Sequence, residues 1–117
     1  MSISAEQFFS ALANETRLRC LALLVSEDEL CVCELTHALG LSQPMISRHL
    51  AFLRDNHIVQ DRRAGLWIYY RLHPELPDWA KDVLQQTMQG IRQEHPYAED
   101  LAKLHDMPNR PGARCCA

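Results

Sequence analysis

The sequence predicts a mainly α-helical fold with a β-hairpin wing: a winged helix-turn-helix in which four helices precede the hairpin and a fifth follows it. Three observations carry this reading. Apolar residues recur at helical spacing from Phe8 to Leu53, with short polar interruptions. Two short helical segments meet at Gly40, and the second opens with small polar side chains. After Asn56 the pattern changes to strands around Ala64-Gly65, then returns to helical spacing.

Ser4 can cap a first helix with Phe8, Phe9, Leu12 and Ala13 on its apolar face. Asn14 caps a second, where Leu18, Leu21, Ala22 and Val25 recur. The acidic stretch Ser26-Glu27-Asp28-Glu29 breaks it. A third helix spans roughly Cys31 to Leu39, with Gly40 where a left-handed C-cap belongs. Ser42 starts a fourth, with Pro44 in the first turn, where its missing N–H costs nothing. Its apolar stripe is Ile46, Leu50 and Leu53. Ile58 and Val59 lead into one strand, and Leu66 to Leu72 form the other. His73-Pro74 ends the hairpin. Helical spacing then runs from Glu75 to about Leu104, and Pro96 kinks or ends that helix. Residues 1–106 read as one DNA-binding and dimerisation domain, and residues 107–117 as a mobile tail with paired cysteines.

A chain of 117 residues that is 47% apolar is one domain with a small core, which a dimer interface would support. No apolar run approaches the roughly 20 residues of a membrane helix. The first residues lack the basic start and apolar stretch of a signal peptide. The expectation is a soluble, cytoplasmic protein. The net charge of −3 is unevenly spread. Between Ser42 and His73 five arginines face two aspartates, a surplus of three, which leaves the rest of the chain at −6. A local basic surface is all that phosphate binding requires.

The segment from Glu34 to Leu53 reads as two short helices packed through Leu35, Ala38, Leu39, Ile46 and Leu50. Ser42, Gln43, Met45, Ser47, Arg48 and His49 lie on the other faces. Short polar groups at the start of a helix suit entry into a major groove, and the helix N–H groups suit a phosphate. Gln43, Ser47 and His49 are the candidates for base edges. Arg62 and Arg63 beside the wing turn are candidates for the DNA backbone or minor groove. Trp67, Tyr69 and Tyr70 read as wing packing.

The five cysteines are Cys20, Cys31, Cys33, Cys115 and Cys116, an odd number with poor disulfide spacing. Cys20 follows the second helix's core pattern. Cys31 and Cys33 lie near a helix N-terminus, which favours thiolate and therefore ligation of soft ions such as arsenic(III) or antimony(III). Residues i and i+2 of a regular helix point about 200° apart. Either the helix begins after Cys31, or ligand capture unwinds it. His37, one turn from Cys33, is a possible nitrogen ligand or a surface group. Cys115 and Cys116 are either further ligands or an incidental pair.

With these residues assembled, the chain resembles the ArsR–SmtB family of metal-responsive winged-helix repressors, and within it the arsenic-responsive repressors of resistance operons. The resemblance rests on Leu12-Ala13-Asn14-Glu15-Thr16-Arg17, Glu29-Leu30-Cys31-Val32-Cys33-Glu34-Leu35, Leu41-Ser42-Gln43-Pro44, Ile46-Ser47-Arg48-His49-Leu50 and Trp67-Ile68-Tyr69-Tyr70-Arg71-Leu72. It implies a homodimer through the first and last helices, binding an imperfect palindrome of double-stranded operator DNA and released by its inducer. Cys31 and Cys33 match the inducer thiols, Ser42 to His49 the recognition helix, and Arg62 to Leu66 the wing. Some members carry a third cysteine where this chain has Thr36, so the third ligand stays open: Cys115 or Cys116, His37, a small thiol, or none. His95, Glu99 and His105 reproduce the family's zinc spacing poorly, which favours arsenic or antimony as inducer. The competing functions are a thiol redox-sensing repressor and, from another class, a thiol metallochaperone. An enzyme is not expected, because Cys20 reads as core and no phosphate loop is present.

Overall fold

Ser4, Asn14 and Ser42 start helices by the same chemistry. Each sits in extended backbone, and its side-chain oxygen accepts an N–H that the first helical turn leaves orphaned. Ser4 accepts from Gln7 at 3.1 Å and Asn14 from Arg17 at 3.0 Å; Ser42 accepts from Met45 at a longer 3.4 Å. The computed structural model describes residues 3–108 and 110. Its elements are α1 (Ala5–Leu12), α2 (Glu15–Ser26), β1 (Leu30–Cys31), α3 (Val32–Leu39), α4 (Gln43–Asp55), β2 (Val59–Ala64), β3 (Trp67–Leu72), α5 (Asp78–Ile91) and α6 (Tyr97–His105).

The core is continuous. Phe8 of α1, Leu21 and Leu23 of α2, Leu35 of α3, and Ile46, Leu50 and Leu53 of α4 are fully buried together with Ile58, Leu84 and Leu104. Gly40 adopts φ +67°, the left-handed cap that lets α3 stop and the chain turn into α4. The expected helix-turn-helix and hairpin are both present. Gly65 supplies the positive φ of the hairpin turn, and β2 pairs antiparallel with β3 from Val59↔Leu72 to Ala64↔Trp67.

The structure departs from the sequence reading in three places. First, Leu30 and Cys31 form a short strand on the other side of β3, in the register Leu30↔Tyr70 and Cys31↔Tyr69. The sheet therefore has three strands, ordered β1-β3-β2. Two residues are too few to show alternation, so periodicity could not reveal this strand. Second, the expected long last helix is two helices. Pro77 caps the first, which ends at Ile91, and Pro96, unable to donate a backbone N–H, caps the second. Third, Phe9 and Ala13 of the expected apolar face are exposed. Phe8 takes the core position, while Phe9 stays 50% exposed beside Trp79, itself 41% exposed.

The last helix is tied to α2 and to the end of α3 by one ion pair whose carboxylate is buried. Arg19 of α2 donates twice to Asp100 of α6, at 2.8 and 2.7 Å, and once to the carbonyl of Leu39 at the end of α3, at 3.1 Å. Asp100 is almost fully buried. Among the described residues, no helix is long and apolar enough to cross a membrane.

Breaking that pair on one side strands a buried charge, which ordinarily costs about 3 to 5 kcal/mol. Arg19→Met, which strands the buried Asp100 carboxylate, is expected to lower the unfolding free energy by about 3 kcal/mol in urea denaturation at fixed protein concentration. The double variant Arg19→Met/Asp100→Leu should lose distinctly less. Equal losses in the two would show that the pair is not electrostatically isolated from water.

Candidate DNA-reading face and thiol cleft

The thiol pair is built by the way α3 begins. Cys31 is the N-cap, with φ −75° and ψ 151°, and the helix proper starts at Val32. The backbone N–H of Cys31 donates to Oε1 of Glu34 at 2.7 Å, the reciprocal half of a capping box. Because Cys31 is extended rather than helical, the 200° divergence of a regular helix does not apply. Of the two alternatives left open by the sequence, the helix begins later than Cys31. The Cys33 thiol donates to the Cys31 sulfur across 3.2 Å. That is well beyond the roughly 2.05 Å of a disulfide.

Two thiolates each about 2.3 Å from one soft ion, subtending about 90° as in a trigonal pyramid, stand about 3.3 Å apart. In a tetrahedron the separation is about 3.8 Å. At 3.2 Å the two sulfurs stand close enough together for one ion to bridge them.

Cys31 and Cys33 line a cleft of about 440 Å³ with Val32, Thr36, His37, Gln43, Leu66, Trp67 and Ile68. Cys31 is only 2% exposed, and Cys33 is half-buried. The pair is thus reached through the cleft rather than sealed in the core. His37 is exposed and lines the same cleft. Among the described residues, no group of three or more His, Cys, Asp or Glu is gathered closely enough to hold a metal ion. Thr36, at the position of the missing third cysteine, donates its hydroxyl back to the carbonyl of Val32 at 2.9 Å. Cys115 and Cys116 lie outside the described residues. Cys20 is fully buried, as expected, and burial pushes its thiol from an ordinary value of 9.0 up to about 12.

The reader helix α4 presents Ser42, Gln43 and Arg48 exposed, with Met45, Ser47 and His49 half-buried. Gln43 lies 3.4 Å from the Ser47 hydroxyl. Burial, then the charges of Arg17 and Arg48, hold His49 below the usual imidazole range, so its ring is neutral at pH 7. A neutral imidazole both donates and accepts, as a base edge requires. The two wing arginines differ in their surroundings. Arg62 is gripped by Glu29 at 2.7 and 2.8 Å and lies 4.6 Å over the Tyr69 ring, whereas Arg63 is an exposed residue of β2. Leu66 projects from the wing turn, 92% exposed.

The sequence reading did not foresee that Gln43 and the wing residues Leu66, Trp67 and Ile68 share a cleft with the thiols. Their meeting depends on β1 pairing with β3, which leaves no signal in the sequence. The role of Glu34 did leave one: a glutamate three residues after Cys31 has capping-box spacing.

A helix-turn-helix, a wing beside it and a cleft holding two thiols between them define a winged helix-turn-helix regulator. The family described as "Bacterial regulatory protein, arsR family" matches residues 14–61. The arsenic resistance transcriptional regulator ArsR1 of Pseudomonas putida KT2440 is 51% identical over 106 residues, 90% of this chain and 83% of that one. Among solved structures, HlyU from Vibrio cholerae N16961 superposes with a TM-score of 0.67 at 33% identity, covering 74% of this chain and 90% of that one. The AntR antimony-specific transcriptional repressor superposes with a TM-score of 0.62 at 32% identity, covering 74% and 75%. This chain belongs to the arsR family of bacterial regulatory proteins.

Since the thiolate is the nucleophile, a thiol titrating near 12 is protonated and inert at pH 8. Alkylation at pH 8, followed residue by residue by mass spectrometry, should label Cys33 before Cys31. Cys20 should react only on unfolding. Labelling of Cys20 in the native protein as fast as Cys33 would contradict the burial described.

Proposed function

We propose that this chain is a metalloregulatory transcriptional repressor: it binds operator DNA as a homodimer and releases it when Cys31 and Cys33 capture arsenic(III) or antimony(III). One observation carries the reading. The two thiols, the first residue of the reader helix and the tip of the wing line one cleft. Capture of an ion there acts directly on both DNA-contacting elements. Similar proteins named for arsenic resistance and for antimony specificity support the choice of inducer.

In this reading Gln43, Ser47 and His49 face base edges, while Ser42, Met45 and Arg48 support the approach of α4 to the groove. Arg63 serves the phosphates, and Arg62, already braced by Glu29, stiffens the wing beside it. The exposed pair Phe9 and Trp79, edge-on to buried Phe8, supports the α1–α5 face as the dimer contact in this reading. A two-fold dimer sets its reader helices on half-sites about one helical turn apart, hence an imperfect palindrome. The protein acts in the cytoplasm, with DNA and the inducer as its ligands and no catalytic role. The third ligand is His37, a tail cysteine (Cys115 or Cys116), a small thiol, or none.

Inducer and operator are coupled because the inducer favours a conformation of α3 and α4 that DNA does not. Such couplings ordinarily amount to about 1–3 kcal/mol, or about 5- to 150-fold in affinity. With a labelled fragment of the DNA upstream of the protein's own gene, fluorescence anisotropy should show arsenite weakening binding within that range. Cys31→Ser and Cys33→Ser should retain the DNA affinity and lose the response. Unchanged affinity at saturating arsenite would refute the proposal. The 3.2 Å sulfur contact also suits oxidation. Release by peroxide in metal-free buffer, with no effect of arsenite, would favour a redox sensor instead.

A further inference from the structure

We propose that Arg110 is a positioning residue for the inducer thiols: it clamps the start of α3 through Glu34, so that the chain beyond α6 helps set how tightly the inducer is held. This rests on the thiol-site reading above and deepens it.

Glu34 has two oxygens with different duties. Oε1 accepts the N–H of Cys31 at 2.7 Å, and Oε2 accepts from Nε of Arg110 at 2.6 Å. The Glu34 side chain is only 5% exposed. A charge so far from water needs a cation to hold it, and removing one member of a buried pair strands the other. Arg110 lies 76 residues away in sequence, beyond the end of α6. Its other nitrogen reaches Glu27, the C-cap of α2, at 3.4 Å, and His105 of α6 reaches the same carboxylate at 3.4 Å. The end of α6 and the segment after it thus grip the break between α2 and α3 from one side.

The consequence for the thiols is geometric. Their 3.2 Å separation exists because Cys31 stays in the extended cap conformation. Glu34 holds that conformation, and Arg110 holds Glu34. Without the clamp the first turn of α3 frays, and the inducer must gather two mobile sulfurs, which weakens binding. Arg110 is absent from α4 and the wing, so this effect should appear in induction and not in DNA recognition.

The test uses the full chain as wild type, Arg110→Gln and Arg110→Lys, with three readouts. These are DNA affinity without arsenite, the arsenite concentration for half release, and the alkylation rate of each cysteine in arsenite-free protein. In Arg110→Gln, DNA affinity should stay within about twofold. The half-release concentration should rise by at least about fivefold, the low end of ordinary coupling. Alkylation of Cys31 should accelerate while that of Cys20 does not. Arg110→Lys should restore most of both. A wild-type midpoint and wild-type Cys31 rate in Arg110→Gln would overturn the clamp. So would an accelerated Cys20 with a matching loss of DNA affinity, which would make Arg110 a general stabiliser. Failure of the wild type itself to respond to arsenite would instead sink the thiol-site reading beneath it.

Discussion

Two sulfurs two residues apart can meet only where a helix has not yet begun. In this protein that place is the junction of β1 and α3. Cys31 pairs with Tyr69 in the sheet and caps the helix at the same time. Cys33 lies inside the first turn. The strand fixes one sulfur and the helix the other, and the 3.2 Å between them follows from their junction. Moving the helix start back by one residue would swing the sulfurs to opposite sides of the axis.

The same junction places the pair at the DNA-reading apparatus. β1 is the strand that closes on the wing, and α3 is the helix that packs beneath the reader. The thiols therefore open into a space bounded by Gln43 from α4 and by Leu66 to Ile68 from the wing. Coupling between the thiols and the reader needs no chain of intermediates through the core, only a change in how the first turn of α3 meets its neighbours. Half-buried Arg19 holds the far end of α3, bonded to the Leu39 carbonyl and to Asp100. The far end of α3 is thus anchored, while its first turn carries the thiols.

Much of this architecture was legible in the sequence. The caps Ser4, Asn14 and Ser42, the glycine after Leu39 and the turn at Ala64-Gly65 act through local chemistry that a sequence displays directly. The thiols and the polar start of α4 could be singled out for the same reason. What escaped the sequence depends on contacts between distant segments. The strand at Leu30-Cys31 exists only because Tyr70 and Tyr69 arrive beside it. Phe8 and Phe9 have the same chemistry, and only the packed helices decide which is buried. The bond from Arg110 to Glu34 joins residues 76 apart. Pro96 did signal an interruption of the last helix, but the helix ends earlier, at Ile91.

The central claim is that one soft ion is held by the sulfurs of Cys31 and Cys33 together. Arsenic X-ray absorption on the protein loaded with one equivalent of arsenite tests it directly, with Cys31→Ser/Cys33→Ser as comparison. The expected spectrum has at least two sulfurs bonded to arsenic in the wild type, and those sulfurs are lost in the double variant. The same sulfur count in both, or an all-oxygen shell in the wild type, would contradict the account.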